Sequence, residues 1–117
     1  MAFKGRVNKK ARSDRNHAIY KITAPDGSVY IGLTFVRPPT AKNHTRSKMP
    51  MLSVMSRFKS HCYRADNGST DNFHRTISRL GKDNFKVEIL EIVRGKTAAH
   101  KRERELIEIH KPQLNTH

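Results

Sequence analysis

A small α+β domain is the fold class this sequence predicts, a mixed three-stranded sheet flanked by helices in the order β-β-α-α-β-α, and three observations predict it. Two runs rich in β-branched and aromatic residues, His17 to Thr23 and Val29 to Leu33, flank the turn segment Ala24-Pro25-Asp26-Gly27-Ser28. Apolar residues then recur at helical spacing along Met51, Met55, Phe58 and Cys62. A third alternating run, Phe85-Lys86-Val87-Glu88-Ile89, follows the helical region. Strands and helices that segregate in this way build a sheet with helices packed against it.

The hairpin has a mechanism. Proline presets φ at the start of the turn, and Asp-Gly supplies the positive-φ position. After Leu33 the chain loses both periods: residues 34–50 hold Pro38, Pro39 and Pro50 among Arg37, Lys42, Arg46 and Lys48. Structureless stretches of this length in a small domain are uncommon and often functional. The first helix is expected from Met51 to about Ala65, ended by Asp66-Asn67-Gly68-Ser69. A shorter helix, about Asp71 to Leu80, turns Phe73, Ile77 and Leu80 inward and stops at Gly81. The third strand should run from Phe85 to about Ile92. Thr97 is the expected cap of a last helix that ends near His110, with Ala98, Ala99, Leu106 and Ile109 inward and Pro112 beyond it.

The chain has 117 residues, room for one ordinary domain. Its 24 Lys and Arg against 10 Asp and Glu give a net charge of +14. A field of that size attracts polyanions, and nucleic acid is the commonest, because counterion release drives the binding. No long amphipathic basic helix supports a membrane surface instead. Residues 1–16 read as a basic arm, with Lys4, Arg6, Lys9, Lys10, Arg12 and Arg15 against Asp14 alone. Residues 17–117 form the domain, and its basic, proline-rich segment at about 35–50 reads as an insertion. Lys9, Lys10, Arg12, Arg37, Lys42, Arg46 and Lys48 are the expected DNA-backbone contacts. A single cysteine, Cys62, excludes an internal disulfide and a Cys-rich zinc site; Cys62 reads as a small core residue. No secretory signal or apolar membrane span is visible, so the expectation is an intracellular protein of the cytoplasm or nucleoid.

The pairing of Ala18-Ile19-Tyr20 with Tyr30-Ile31-Gly32 resembles the paired signature of the GIY-YIG nuclease family, with Ala18 in place of its first glycine. Further segments follow in order. Arg57-Phe58-Lys59-Ser60-His61 resembles the family's Arg-x-x-x-His on the first helix. Ile77 to Gly81 is similar to the next helix end, and Phe85 to Glu91 to the third strand. Glu105 with Ile109 resembles the glutamate helix, and Lys111-Pro112-Gln113-Leu114-Asn115 the terminal segment. The resemblance spans residues 17–115. It implies a metal-dependent endonuclease in which Glu105 holds Mg²⁺ or Mn²⁺ and Arg57 steadies the phosphate. Tyr20, with a lowered pKa, activates the attacking water, Tyr30 and His61 position and polarise around it, and Asn115 completes the site near the third strand.

The residue chemistry is compatible with those roles. Arg57 and His61 are four apart and share a helix face. Arginine grips phosphate in a bidentate fashion, and histidine moves protons near neutral pH. One carboxylate with phosphate oxygens and water suits Mg²⁺. Each residue also has a plain alternative. A hairpin tyrosine packs across strands, Arg57 and His61 sit on a solvated helix, Glu105 pairs with Lys101, and Asn115 frays. Glu103 and Glu108 are competing carboxylates; Glu108 falls on the outer side, and Glu103 lacks the matching spacing to Ile109. The remaining histidines, His44, His74, His100, His110 and His117, read as surface residues.

The insertion separates Gly32 from Arg57 by 25 positions, more than the family's usual spacing. No further DNA-binding region follows Asn115, so target recognition is expected from the arm, the insertion, a homodimer on DNA, or the DNA's shape. The leading expectation is a freestanding endonuclease of the homing, mobile-element or phage type, phage-encoded in a bacterial host. A restriction or branched-DNA repair nuclease, a non-enzymatic nucleic-acid-binding module and a basic ribosome-associated protein are the alternatives.

Overall fold

The computed structural model describes residues 15–38 and 48–115. Strands β1 (Asn16–Thr23) and β2 (Val29–Phe35) form the hairpin. Helices α1 (Met49–Asp66) and α2 (Asn72–Leu80) follow, then β3 (Lys86–Arg94) and α3 (Lys96–His110). A 3₁₀ turn, Gln113–Asn115, comes last. The fold is α+β.

The turn forms as its residues dictate. Asp26 Oδ1 accepts the Ser28 N–H at 3.0 Å, and Gly27 takes φ 91°.

The sheet is antiparallel throughout, not mixed. Its order is β2-β1-β3, with β1 antiparallel to both neighbours. The reason lies in the crossover. Helix α1 has 18 residues, about 27 Å at the standard rise, and carries the chain the length of the sheet. At the end of α2, Arg79 reaches Asp26 of the hairpin turn (3.6 Å). The chain therefore enters β3 beside the turn, and Lys86 pairs with Thr23. A register shift sets Ile19 opposite Glu91 and Tyr20 opposite Ile89, leaving Leu90 as the extra residue of a bulge.

Helices cover both faces. Ala18, Tyr20 and Ile22 pack with Val54, Phe58, Cys62 and Ala65 of α1 and Phe73 and Ile77 of α2. Ile19 and Ile31 point the other way, onto Leu106 and Ile107 of α3. Burial of each such aliphatic side chain stabilises by about 1.5–3 kcal/mol.

The inward stripe of α1 differs from the expected one. Phe58 and Cys62 are buried, but Met51 and Met55 are 39% and 38% exposed, and Val54 takes the inner position. The opening Met49-Pro50-Met51-Leu52-Ser53-Val54-Met55 is apolar at nearly every step, so its period is ambiguous. Pro50 belongs to the helix's first turn rather than to a loop. In α3, Ala99 and Leu106 are buried as expected, but Ala98 is exposed and Ile109 is 66% exposed. Gly95, not Thr97, precedes the first helical residue. Asn16 already belongs to β1, so the expected basic arm overlaps the sheet at its end. Among the described residues no helix is long and apolar enough to cross a membrane.

Candidate active site

The face of the sheet under α1 and α2 carries a cluster of buried polar groups. Tyr20 is central to it. Its register partner is Gly32, and a Cβ there would collide with the Tyr20 ring and hydroxyl. The glycine lets the ring lie flat against β2. Tyr30, two residues earlier, holds the neighbouring position, with ring centroids 6.2 Å apart. Phe73 stacks on Tyr30 at 4.1 Å and meets the His61 ring edge-on at 5.0 Å.

A chain of polar contacts runs through this layer. Tyr20 Oη lies 3.1 Å from His61 Nε2, and His61 Nδ1 lies 2.9 Å from His74 Nε2. His74 Nδ1 in turn lies 2.7 Å from Ser69 Oγ and 3.6 Å from Asp71 Oδ2. His61 and His74 are 4% and 3% exposed. His74 is thus a core residue, contrary to its reading as surface. The sequence signal was its place beside Phe73 on a short helix whose buried side is Phe73, His74, Thr76 and Ile77.

Arg57 stands one turn before His61. Its Nε is buried with no hydrogen-bond partner among the described residues, which is unusual for a charged group. Arg57, Tyr30, His61, Arg64, His74 and Asn115 lie around a hollow of about 180 Å³. Tyr20, only 1% exposed, lies beneath this layer.

Burial dominates the electrostatics. It raises both tyrosine hydroxyls above their ordinary value, while the Arg57 charge opposes it. The lowered pKa expected of Tyr20 is therefore overturned: desolvation of a phenolate outweighs the nearby guanidinium. Burial, with Arg57 and His74 beside it, pushes His61 down to about 3. His74 is also lowered by burial, but the Asp71 carboxylate works against that shift.

The two candidate carboxylates exchange places. Glu105 is 48% exposed, bonds Arg102 Nη1 at 3.3 Å and lies beside an outer hollow with Glu108 and Ile109. Glu103 is 20% exposed, and its charge is felt by both tyrosine hydroxyls. Burial raises its carboxyl, opposed by His100, 3.8 Å away, and Arg104. Helical spacing explains the exchange. Glu103 is four after Ala99 and three before Leu106, the two buried residues of α3. Ile109, which the match to the glutamate helix paired with Glu105, faces solvent.

Asn115 is held in place, but at β2 rather than β3. Its Oδ1 accepts the Ile31 N–H at 2.8 Å, and its Nδ2 donates to the Ile31 carbonyl at 2.7 Å. Gln113 Oε1 accepts the Val29 N–H at 3.1 Å. The last turn thus pairs with an edge of β2 and brings Asn115 next to Tyr30.

Of the expected DNA contacts, Lys9, Lys10, Arg12, Lys42 and Arg46 lie outside the described residues, as do His44 and His117. Arg37 and Lys48 are exposed and flank residues 39–47. Arg37 adjoins Arg15, Phe35 and Leu52 around a separate hollow, not the one at Arg57. Among the described residues no three His, Cys, Asp or Glu side chains are grouped to hold a metal. Asp71 lines the hollow at Arg57, whereas half-buried Glu103 does not, although its charge reaches both tyrosine hydroxyls. A single carboxylate completed by phosphate oxygens and water suits a hard cation. Comparison with protein-family models, with curated proteins and with solved structures finds no match for this chain.

Proposed function

We propose that this protein is a DNA endonuclease of the GIY-YIG type that hydrolyses phosphodiester bonds. The buried, unpartnered Arg57 Nε at the hollow carries the reading. A guanidinium with spare donors beside a hydrogen-bonded Tyr–His pair suits a phosphate oxygen better than any group of the chain itself. The net charge of +14 supplies the attraction to DNA.

Each side chain has a task in this reading. Arg57 binds the scissile phosphate and stabilises the charge that develops on it. Tyr20 takes a proton from the attacking water as it gives its own to His61, so no phenolate has to exist in the buried site. Tyr30, stacked on Phe73, orients the phosphate group from the β2 side. Glu103, not Glu105, is the carboxylate that holds Mg²⁺ or Mn²⁺. When bound, such an ion polarises the phosphate and steadies the leaving oxygen. The homing, mobile-element or phage setting, an intracellular location and a dimer on DNA belong to the same proposal, with restriction and branched-DNA repair as its biological alternatives.

The 1% exposure of Tyr20 favours a second reading. In a non-enzymatic nucleic-acid-binding module, the Tyr20–His61–His74 chain is a satisfied buried network that fixes the packing of α1 and α2. Cleavage of supercoiled, linear and branched DNA, with Mg²⁺ and with EDTA, separates the two. The nuclease cuts only with the metal, and Arg57→Ala reduces cutting at least about 100-fold. Salt-sensitive binding without cutting of any substrate overturns the nuclease reading.

A further inference from the structure

We infer that His74 is a positioning residue that extends the site into a two-histidine proton wire, in which His61 relays the proton leaving Tyr20 and His74, beside Asp71, receives it. The inference rests on the nuclease reading for its purpose, but its geometry stands by itself.

The contacts admit an order of transfer that runs outward from Tyr20, each ring nitrogen lying within hydrogen-bond distance of the next group. With Tyr20 donating to His61 Nε2 (3.1 Å), His61 must carry its proton on Nδ1. That proton points at His74 Nε2 (2.9 Å), so His74 also carries its proton on Nδ1, directed at Ser69 Oγ (2.7 Å). Each ring N–H then has an acceptor. As a water oxygen bonds to phosphorus, its proton passes to Tyr20 Oη. The Tyr20 proton moves to His61 Nε2, and the His61 Nδ1 proton moves to His74 Nε2. Tyr20 and His61 end neutral, and His74 ends as an imidazolium 3.6 Å from Asp71 Oδ2. One O–H bond of water is broken, one proton rests on His74, and nothing is oxidised or reduced.

Charge placement explains why a second histidine is needed. Arg57, Arg64 and His74 all oppose a positive charge on His61, and the facing residues give it no carboxylate partner. His74 feels Arg64 and Arg57 as well, but Asp71 counters them. Asp71 is 56% exposed, so the proton then has a route to solvent. The wire moves charge from a place where no carboxylate offsets it to one where Asp71 does so in part.

Two measurements test this on the full chain. Nitrogen-15 spectra of histidine-labelled protein at neutral pH should show His61 and His74 both neutral and both protonated on Nδ1. A proton on Nε2 of either ring, or an imidazolium at rest, overturns the wire. In cleavage assays, His74→Gln should lower kcat at least about tenfold with KM for DNA unchanged within about twofold, and Asp71→Asn should lower kcat less. Their melting temperatures identify any loss that is merely unfolding. His74→Gln cutting at the full rate while folded also overturns the wire. If the unchanged protein cuts nothing although both rings have the expected tautomers, the nuclease reading has failed and the wire's catalytic purpose with it, while the hydrogen-bond order stands.

Discussion

Ile19 and Tyr20 are neighbours in β1 and both are buried, yet they face two differently made interiors. Ile19 meets Ile31 and Leu106 in an aliphatic layer under α3. Tyr20 meets Tyr30, His61, Phe73 and, through His61, His74 under α1 and α2. The aliphatic layer needs only apolar volume. The aromatic and histidine layer needs each donor matched to an acceptor, because a buried polar group left unpaired costs about 1–3 kcal/mol. Burial alone does not require that demand on one face of the sheet and not on the other. The difference marks the face on which chemistry is proposed.

The largest effects should come from breaking each face separately. Ile19→Ala removes buried methyl groups and should cost about 2–5 kcal/mol in chemical denaturation. Its residual folded fraction should cut DNA at near the normal rate. Tyr20→Phe keeps the ring over Gly32 and should cost only about 1 kcal/mol, while cleavage falls about 10²- to 10⁴-fold. If Tyr20→Phe cuts normally, the polar face is structural and the Tyr–His pair has no part in catalysis.

A sharper version of the comparison concerns α3, where the charge of half-buried Glu103 reaches the tyrosine hydroxyls and Glu105 pairs with Arg102. Glu103→Gln should reduce cleavage at least about 100-fold, while Glu105→Gln stays within about threefold. DNA binding at fixed salt should hold for both. The reverse result would return the metal to Glu105 and leave the half-burial of Glu103 as a feature of packing.

Glu103 also shows what the sequence could and could not reveal. The hairpin was legible because Asp26-Gly27 is a turn with only one good conformation. The third strand was legible from its alternation. Strand direction was not, since no local residue encodes the length of a crossover; α1 had to be seen crossing the sheet. Tyr20, Tyr30, Arg57 and His61 were singled out by the resemblance and do converge in space. Asn115 was found, but its partner strand was not, because its bonds go to the Ile31 backbone, which carries no side-chain signature. Glu103 was legible in the Ala99–Glu103–Leu106 stripe and was passed over for a match to Ile109. His74 could be read from its place beside Phe73 and three before Ile77, but was passed over because its polar ring needs a buried partner, and that partner, His61, lies 13 residues away.

The smallest effect is a pH dependence that one face should carry alone. His61 is pushed from 6.5 down to about 3 in the folded chain, and His74 is shifted the same way. His61 is therefore neutral when folded and free to take a proton when unfolded, and His74 is biased in the same direction. Lowering pH below 6.5 adds protons to the unfolded state first, so the stability these two residues allow is present above 6.5 and is lost as pH falls toward the folded value. Each proton contributes a slope of at most about 1.4 kcal/mol per pH unit. Between pH 6.5 and 5 most carboxylates have yet to titrate, so denaturation midpoints in that window report chiefly on histidine. His61→Gln should flatten the slope, whereas Ile19→Val on the opposite face should lower stability and leave the slope as it was. A slope that survives His61→Gln unchanged would mean that protonation elsewhere sets the acid sensitivity, and that His61 is open to water in the folded protein.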